Sequence, residues 1–413
     1  MKCRICEEKL SEPFLSLGNQ PLSNSYLTEQ ETHAEERTFP LELHFCPKCR
    51  LVQLAEYENP KNIFSSYSYF SSNSLSWVKH AENYAEMIAK KLKLDKDSFV
   101  LECASNDGYL LQWFIQKNIP CLGVEPAENI AKFAVERGIP TDNCFFNSDY
   151  GLKLKSENRQ ADLIVCNNVL AHVPALNDFV EGLKLALKPK GVITIEVPHL
   201  LNLIKENQFD TAYHEHFSYF SLFALDCLFS KHDLVLFNVE EIPTHGGSLR
   251  VYVKHKENLT YKYKPNVLRV LNKESEAGLL DENTYLSFAN QVEHIKRKCS
   301  MILYNLKESG NSIVAYGAAA KGNTFLNYCG FRTDVFDYVV DNTLDKQGKF
   351  LPGSKIPIYP ESRINVTKPD YIVILPWNWK DEIVAKNQQV KEWDGKFMVM
   401  LPEVKIISGK EKE

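Results

Sequence analysis

Phe99-Val-Leu-Glu102-Cys-Ala-Ser-Asn-Asp-Gly108-Tyr-Leu-Leu-Gln-Trp-Phe114, followed by Cys121-Leu-Gly-Val-Glu125, decides the fold. A short apolar run ends in an acid, bends through a polar turn, enters a helical stretch and meets a second short run that also ends in an acid. That order is the opening strand, turn, helix and strand of a doubly wound sheet, whose ligands sit at the turn after the first strand. Ser105, Asn106 and Asp107 fill the turn, and Gly108 permits its bend. A pyrophosphate cradle needs three glycines, so a dinucleotide is disfavoured. Glu125 stands 23 residues after Glu102, where its two oxygens can take both ribose hydroxyls of an adenosine. A cofactor with a ribose and no pyrophosphate fits this pattern, which points to S-adenosylmethionine.

Working outward, the runs Asp162–Cys166, Val192–Glu196, Leu234–Val239 and Ser248–Val253 continue a parallel-rich sheet, the last two as an antiparallel edge hairpin. Asn167 and Asn168 follow one strand end and face the cofactor crevice, with His172 four residues beyond. Phe288, Val292, Ile295, Cys299, Ile302 and Leu306 lie at spacings of three and four, one face of a long amphipathic helix. The strand pattern then restarts at Ser312–Tyr316, Phe336–Asp341 and Tyr371–Leu375. The expected fold is α/β: a small N-terminal zinc-binding module (1–60), a Rossmann-like methyltransferase domain (61–265), a linker helix region (266–309) and a second, smaller Rossmann-like domain (310–413). A chain of 413 residues exceeds what one core organises.

Cys3-x-x-Cys6 and Cys46-x-x-Cys49 read as two knuckles that close a tetrahedral zinc shell, with no position left for water and therefore structural. His33 and His44 are spare ligands. Cys103, Cys121, Cys144, Cys166, Cys227, Cys299 and Cys329 are scattered singly, as core thiols are in a reducing compartment. Lys plus Arg total 48 against 53 Asp plus Glu, so the surface has no footprint for a nucleic-acid polymer. The start Met-Lys-Cys-Arg-Ile-Cys has no apolar leader, and no uninterrupted run is long enough to span a bilayer; the expectation is a cytoplasmic protein without a membrane partner.

Tyr213-His-Glu-His216 packs ionisable groups densely. Two imidazoles at i and i+2 do not share a helix face, which weighs against a catalytic metal and toward general acid–base work by a histidine with a neighbouring carboxylate.

These strings together resemble the zinc-containing sugar C-methyltransferases that act on nucleotide-linked 4-keto-deoxysugars. The likeness runs in order through both cysteine pairs, Gln20–Tyr26, Glu102–Gly108, Gly123–Pro126, Tyr213–Tyr219, His245–Arg250 and Tyr316–Asn323. It implies a pocket of Tyr67, His172, Tyr213, Glu215 and His216. Under this reading His216 removes the C3 proton beside a C4 ketone and Glu215 tunes a histidine, while Tyr213, Tyr67 or His172 donate to the enolate oxygen. Asn24, Ser25, His245, Lys321 and Asn323 are expected to bind a nucleotide sugar, with dTDP the expected carrier, in a monomer or weak homodimer. Two other readings remain: an O-methyltransferase on a sugar or polyketide hydroxyl, and a non-catalytic scaffold on the same fold.

Overall fold

The computed structural model describes residues 1–58 and 70–407. The chain forms two compact units, each assembled from separated stretches: 1–10, 46–199 and 217–280 in one, and 11–45, 200–216 and 281–413 in the other.

The first unit is built on a sheet of β1 (Val100–Cys103), β2 (Cys121–Val124), β3 (Thr141–Asp142), β4 (Ala161–Asn167), β5 (Leu187–Pro198), β6 (Leu234–Ile242) and β7 (Ser248–His255). Their order is β6-β7-β5-β4-β1-β2-β3. The strands from β5 to β3 run parallel, while β6 and β7 form the antiparallel hairpin expected from the sequence. Parallel strands are covered on both faces, which is why every residue of β1 and β2 is buried and their sequences do not alternate.

Helix α1 (Leu75–Leu92) starts where the Ser74 hydroxyl accepts from the Trp77 N–H and stops at Lys93 in a left-handed conformation. It buries Trp77, Ala81, Tyr84, Ala85 and Ile88, a stripe at spacings of three and four.

The second unit carries β8 (Ile313–Tyr316), β9 (Val339–Val340), β10 (Ile358–Tyr359), β11 (Tyr371–Ile374), β12 (Lys396–Val399) and β13 (Lys405–Ile407), in the order β10-β9-β8-β11-β12-β13. All pairs are parallel except the last.

Helix α2 (Glu282–Glu308) buries Phe288, Val292, Ile295 and Cys299 as its periodicity predicts. Its stripe then drifts to Leu303, with Ile302 and Leu306 only partly covered. Helix α3 (Ala320–Cys329) follows β8 and ends at Gly330, where a positive φ suits glycine. The hairpin of Leu15–Gln20 with Phe39–Phe45 belongs to this unit, and the Phe14 and Phe45 rings lie 5.1 and 4.3 Å from Tyr285 of α2. No helix among the described residues is long and apolar enough to cross a membrane.

Candidate active site and zinc centre

The two cysteine pairs fold into matching turns. Cys3 N donates to Glu8 O and Glu7 N to Cys3 O; Cys46 N donates to Leu51 O and Arg50 N to Cys46 O. Glu7 and Arg50, one residue after each knuckle, share a left-handed conformation. Equal turns bring equal thiol pairs together. The four sulfurs lie within 4.8 Å of one another, with Cys3 to Cys49 at 3.3 Å and Cys6 to Cys46 at 3.5 Å. A tetrahedral zinc with bonds of about 2.3 Å sets sulfurs about 3.8 Å apart, so the set fits a closed structural site. His44 stands outside it and meets the Ser11 carbonyl instead.

The cofactor turn follows β1 in the same unit. Glu125, at the end of β2, accepts from Asn106 N at 2.9 Å and Ala127 N at 2.8 Å, one donor on each carboxylate oxygen. Those bonds aim the carboxylate and leave each oxygen further lone pairs. Burial pushes its carboxyl up to about 6 against the opposing pull of the two N–H donors. Ala104 and Asn106 both adopt positive φ, a strained backbone of the kind that collects at ligand sites.

The turn is pinned by residues that sequence reasoning missed. Ser71 N donates to Asn106 Oδ1 at 2.8 Å, and both the amide and the hydroxyl of Ser72 donate to Asp107 Oδ2. Nothing in a Ser/Tyr-rich stretch announces such a partner over a separation of 35 residues.

Gly123 is required by the same packing: a Cβ there would lie 2.3 Å from Ser105 Oγ. Around this floor, Glu102 Oε2, Ser105 Oγ, Asp107 Oδ1, both amide atoms of Asn167 and Asn168 Oδ1 are buried with no hydrogen-bond partner among the described residues. Each orphaned atom costs about 1–3 kcal/mol, so their concentration at one sheet edge marks a socket for a polar ligand. The crevice fits S-adenosylmethionine: an acid for the ribose, polar atoms for the amino-acid end and no pyrophosphate cradle.

At its rim, Asn168 Nδ2 lies 3.0 Å from His245 Nε2, and both residues hold left-handed backbones. Behind them, buried Glu196 on β5 meets Arg250 at 2.6 Å and His80 at 2.9 Å, a network that gave no sequence signal. His172 lies at a half-buried 3-10 turn after β4. Tyr67 falls outside the described residues.

Tyr213, Glu215 and His216 belong to the second unit, on the segment that follows the 3-10 turn Phe209–Thr211. His216 Nδ1 lies 3.0 Å from the Thr211 carbonyl and Nε2 2.7 Å from the Tyr213 hydroxyl. Glu215 is buried and accepts from Asn24 Nδ2 at 2.6 Å. Ser25, next to it, is exposed. His214 turns away to the Phe39 and Pro40 carbonyls, and burial lowers its basicity.

Helix α3 holds this segment from beneath through Thr324 Oγ1, which donates to the Ala212 carbonyl at 2.8 Å. Lys321 Nζ and both amide atoms of Asn323 are buried without a partner among the described residues.

Family models match three successive stretches: a zinc binding domain over 3–64, a methyltransferase domain over 77–239 and a C-methyltransferase C-terminal domain over 243–402. The C-methyltransferase NovU of Streptomyces niveus is 32% identical over 408 residues, covering 99% of this chain and 97% of that protein. This chain belongs to the C-methyltransferase family.

The fold comparison includes two solved structures. The 1,6-didemethyltoxoflavin-N1-methyltransferase of Burkholderia thailandensis is 16% identical with a TM-score of 0.37, over 52% of this chain and 100% of that one. An S-adenosylmethionine-dependent methyltransferase of Anabaena variabilis is 12% identical with a TM-score of 0.36, over 49% and 99%. The three matched domains and the NovU likeness make this chain an S-adenosylmethionine-dependent C-methyltransferase with a zinc-binding domain, whose Cys3, Cys6, Cys46 and Cys49 sulfurs cluster closely enough to hold the metal.

Proposed function

We propose that this C-methyltransferase methylates C3 of a nucleotide-linked 4-keto-deoxysugar, with dTDP as the carrier, through an enolate. The observation that supports this reading best is the hydrogen-bonded pair of Tyr213 and His216. A carbonyl only accepts, so Thr211 O fixes the proton on His216 Nδ1 and leaves Nε2 as the basic atom, aimed at the Tyr213 hydroxyl.

In the neutral pair Tyr213 donates to His216, which makes Tyr213 a relay. Its oxygen takes the C3 proton while its own proton passes to His216 Nε2. The electron pair released from the C3–H bond moves toward the C4 oxygen, forming the enolate. General-base catalysis of this kind contributes about 10²–10⁴-fold. The resemblance assigns His172 and Tyr67 as donors to the enolate oxygen, each worth about 3 kcal/mol where well placed. Glu215, held by Asn24, keeps a carboxylate beside the histidine in sequence. When bound, S-adenosylmethionine supplies the electrophilic methyl group.

The test is isotope exchange. Incubation of the zinc-loaded enzyme with a dTDP-4-keto-deoxysugar in deuterated water, without methyl donor, is expected to exchange C3–H. Confirmed binding without any exchange would sink the enolate route and favour O-methylation.

A further inference from the structure

In the second sheet, β8 has β9 on one side and β11 on the other, so the chain reverses its direction of winding at the carboxyl ends of β8 and β11. Open α/β sheets take their ligands at such a switch point. The floor is tight: a Cβ on Gly317 would lie 2.5 Å from the Pro376 ring, and one on Gly322 2.7 Å from Leu375 Cβ.

Asp210, Trp377 and Lys321 gather over it. Asp210, 1% exposed, accepts from Trp377 Nε1 at 2.8 Å through Oδ2. Lys321 Nζ lies 4.8 Å from the centre of the Trp377 ring. Asp210 Oδ1 and Lys321 Nζ are both buried with no hydrogen-bond partner among the described residues. Asn323, on the first turn of α3 and 1% exposed, has neither amide atom partnered there.

An ammonium and a carboxylate within electrostatic reach of each other cancel in charge yet leave donors and an acceptor unused. A phosphate meets Asp210 as a like charge, and a cation meets Lys321 so. A neutral group that both accepts and donates satisfies both, and a hydroxyl is that group. Burial pushes the Asp210 carboxyl up to about 6 even though Lys321, Trp377 and the backbone N–H groups of Asp210 and Thr211 oppose this.

We infer that Lys321 and Asp210 form a subsite for a sugar-ring hydroxyl of the acceptor, with Lys321 donating to it and Asp210 accepting from it. The subsite rests on the acceptor being a nucleotide sugar. It gives Lys321 a partner other than the diphosphate, and it lies on the stretch that leads, three residues later, into Tyr213.

Binding, read by calorimetry on the full zinc-loaded protein, tests this without turnover. The probes are dTDP, a dTDP-4-keto-deoxysugar, dTDP-glucose and UDP-glucose; the variants are Lys321→Met, Asp210→Asn and the double variant. Each single change strands one buried charge and destabilises the fold; the double change removes both and restores thermal stability. A subsite predicts that the double variant, though stable, binds the best nucleotide sugar about tenfold or more weakly. Equal weakening of dTDP assigns the hydroxyl to the nucleoside's sugar, and weakening of the nucleotide sugar alone assigns it to the hexose. Wild-type affinity in the double variant overturns the subsite and leaves water as its occupant. Failure of the wild-type protein to bind any nucleotide sugar overturns the acceptor reading, and the subsite with it.

Discussion

The Tyr213 hydroxyl lies 2.7 Å from His216 Nε2. With Nδ1 donating to the Thr211 carbonyl, the imidazole presents its Nε2 lone pair to the Tyr213 hydroxyl, which can pass on the demand for a proton. Under the proposed enolate route both residues serve the same proton transfer. His216→Asn keeps the Nδ1-like donor and removes the base; methyl transfer should fall about 10³-fold, with Tyr213→Phe losing about 10²-fold or more. Exchange of the C3 proton in deuterated water should fall in parallel while S-adenosylhomocysteine affinity stays unchanged. Retained exchange in His216→Asn would remove it from the proton path.

Glu125 predicts a pH dependence of cofactor binding. Burial favours the protonated form and pushes its folded carboxyl up to about 6, above the ordinary value of 4.5. Ribose hydroxyls need the ionised form as acceptor, so binding is nearly full at about pH 7, halved near pH 6 and lost as pH falls further. Affinity for S-adenosylhomocysteine should drop roughly tenfold between pH 7 and pH 5. Glu125→Gln should bind weakly at both values with little slope, and an unchanged slope in that variant would assign the titration elsewhere.

Gly123 predicts a steric coupling. Alanine there places a methyl 2.3 Å from Ser105 Oγ and 2.8 Å from its Cβ, so the cofactor turn must shift. Gly123→Ala should cost about 1–3 kcal/mol of stability and weaken S-adenosylhomocysteine binding by about tenfold. The additional change Ser105→Gly opens the space and should restore the melting temperature. A double variant no more stable than Gly123→Ala would rule out this clash as the cause.

Zinc removal should act on stability before chemistry. Four thiols fill the shell, so the metal has no open position for substrate. Metal analysis should find one zinc per chain, and Cys46→Ser should release it and lower the melting temperature by about 10 °C or more, since binding energy at such sites is folding energy. Full thermal stability in a zinc-free protein would contradict a structural role.

Much of this was legible in the chain itself. The cysteine spacing announced the zinc site because each knuckle is a local turn, and one pair reads like the other. The strand-turn-strand order from Phe99 to Glu125 announced the sheet because buried parallel strands are short apolar runs and their polar ends stand out. The amphipathic stripe of α2 was local in the same way, up to the drift from Ile302 to Leu303.

What the sequence order could not contain was which distant segments share a unit. Residues 11–45 and 200–216 join the C-terminal sheet, so Asn24 meets Glu215 across 191 positions and Trp377 meets Asp210 across 167. The pinning of Asp107 by Ser72 and the stranded pair Lys321 and Asp210 depend on such contacts. Turns and strands follow from short-range sterics and periodicity, which a sequence displays. The partner of a buried polar atom is chosen by tertiary packing, which brings together residues with no mark of each other in the chain.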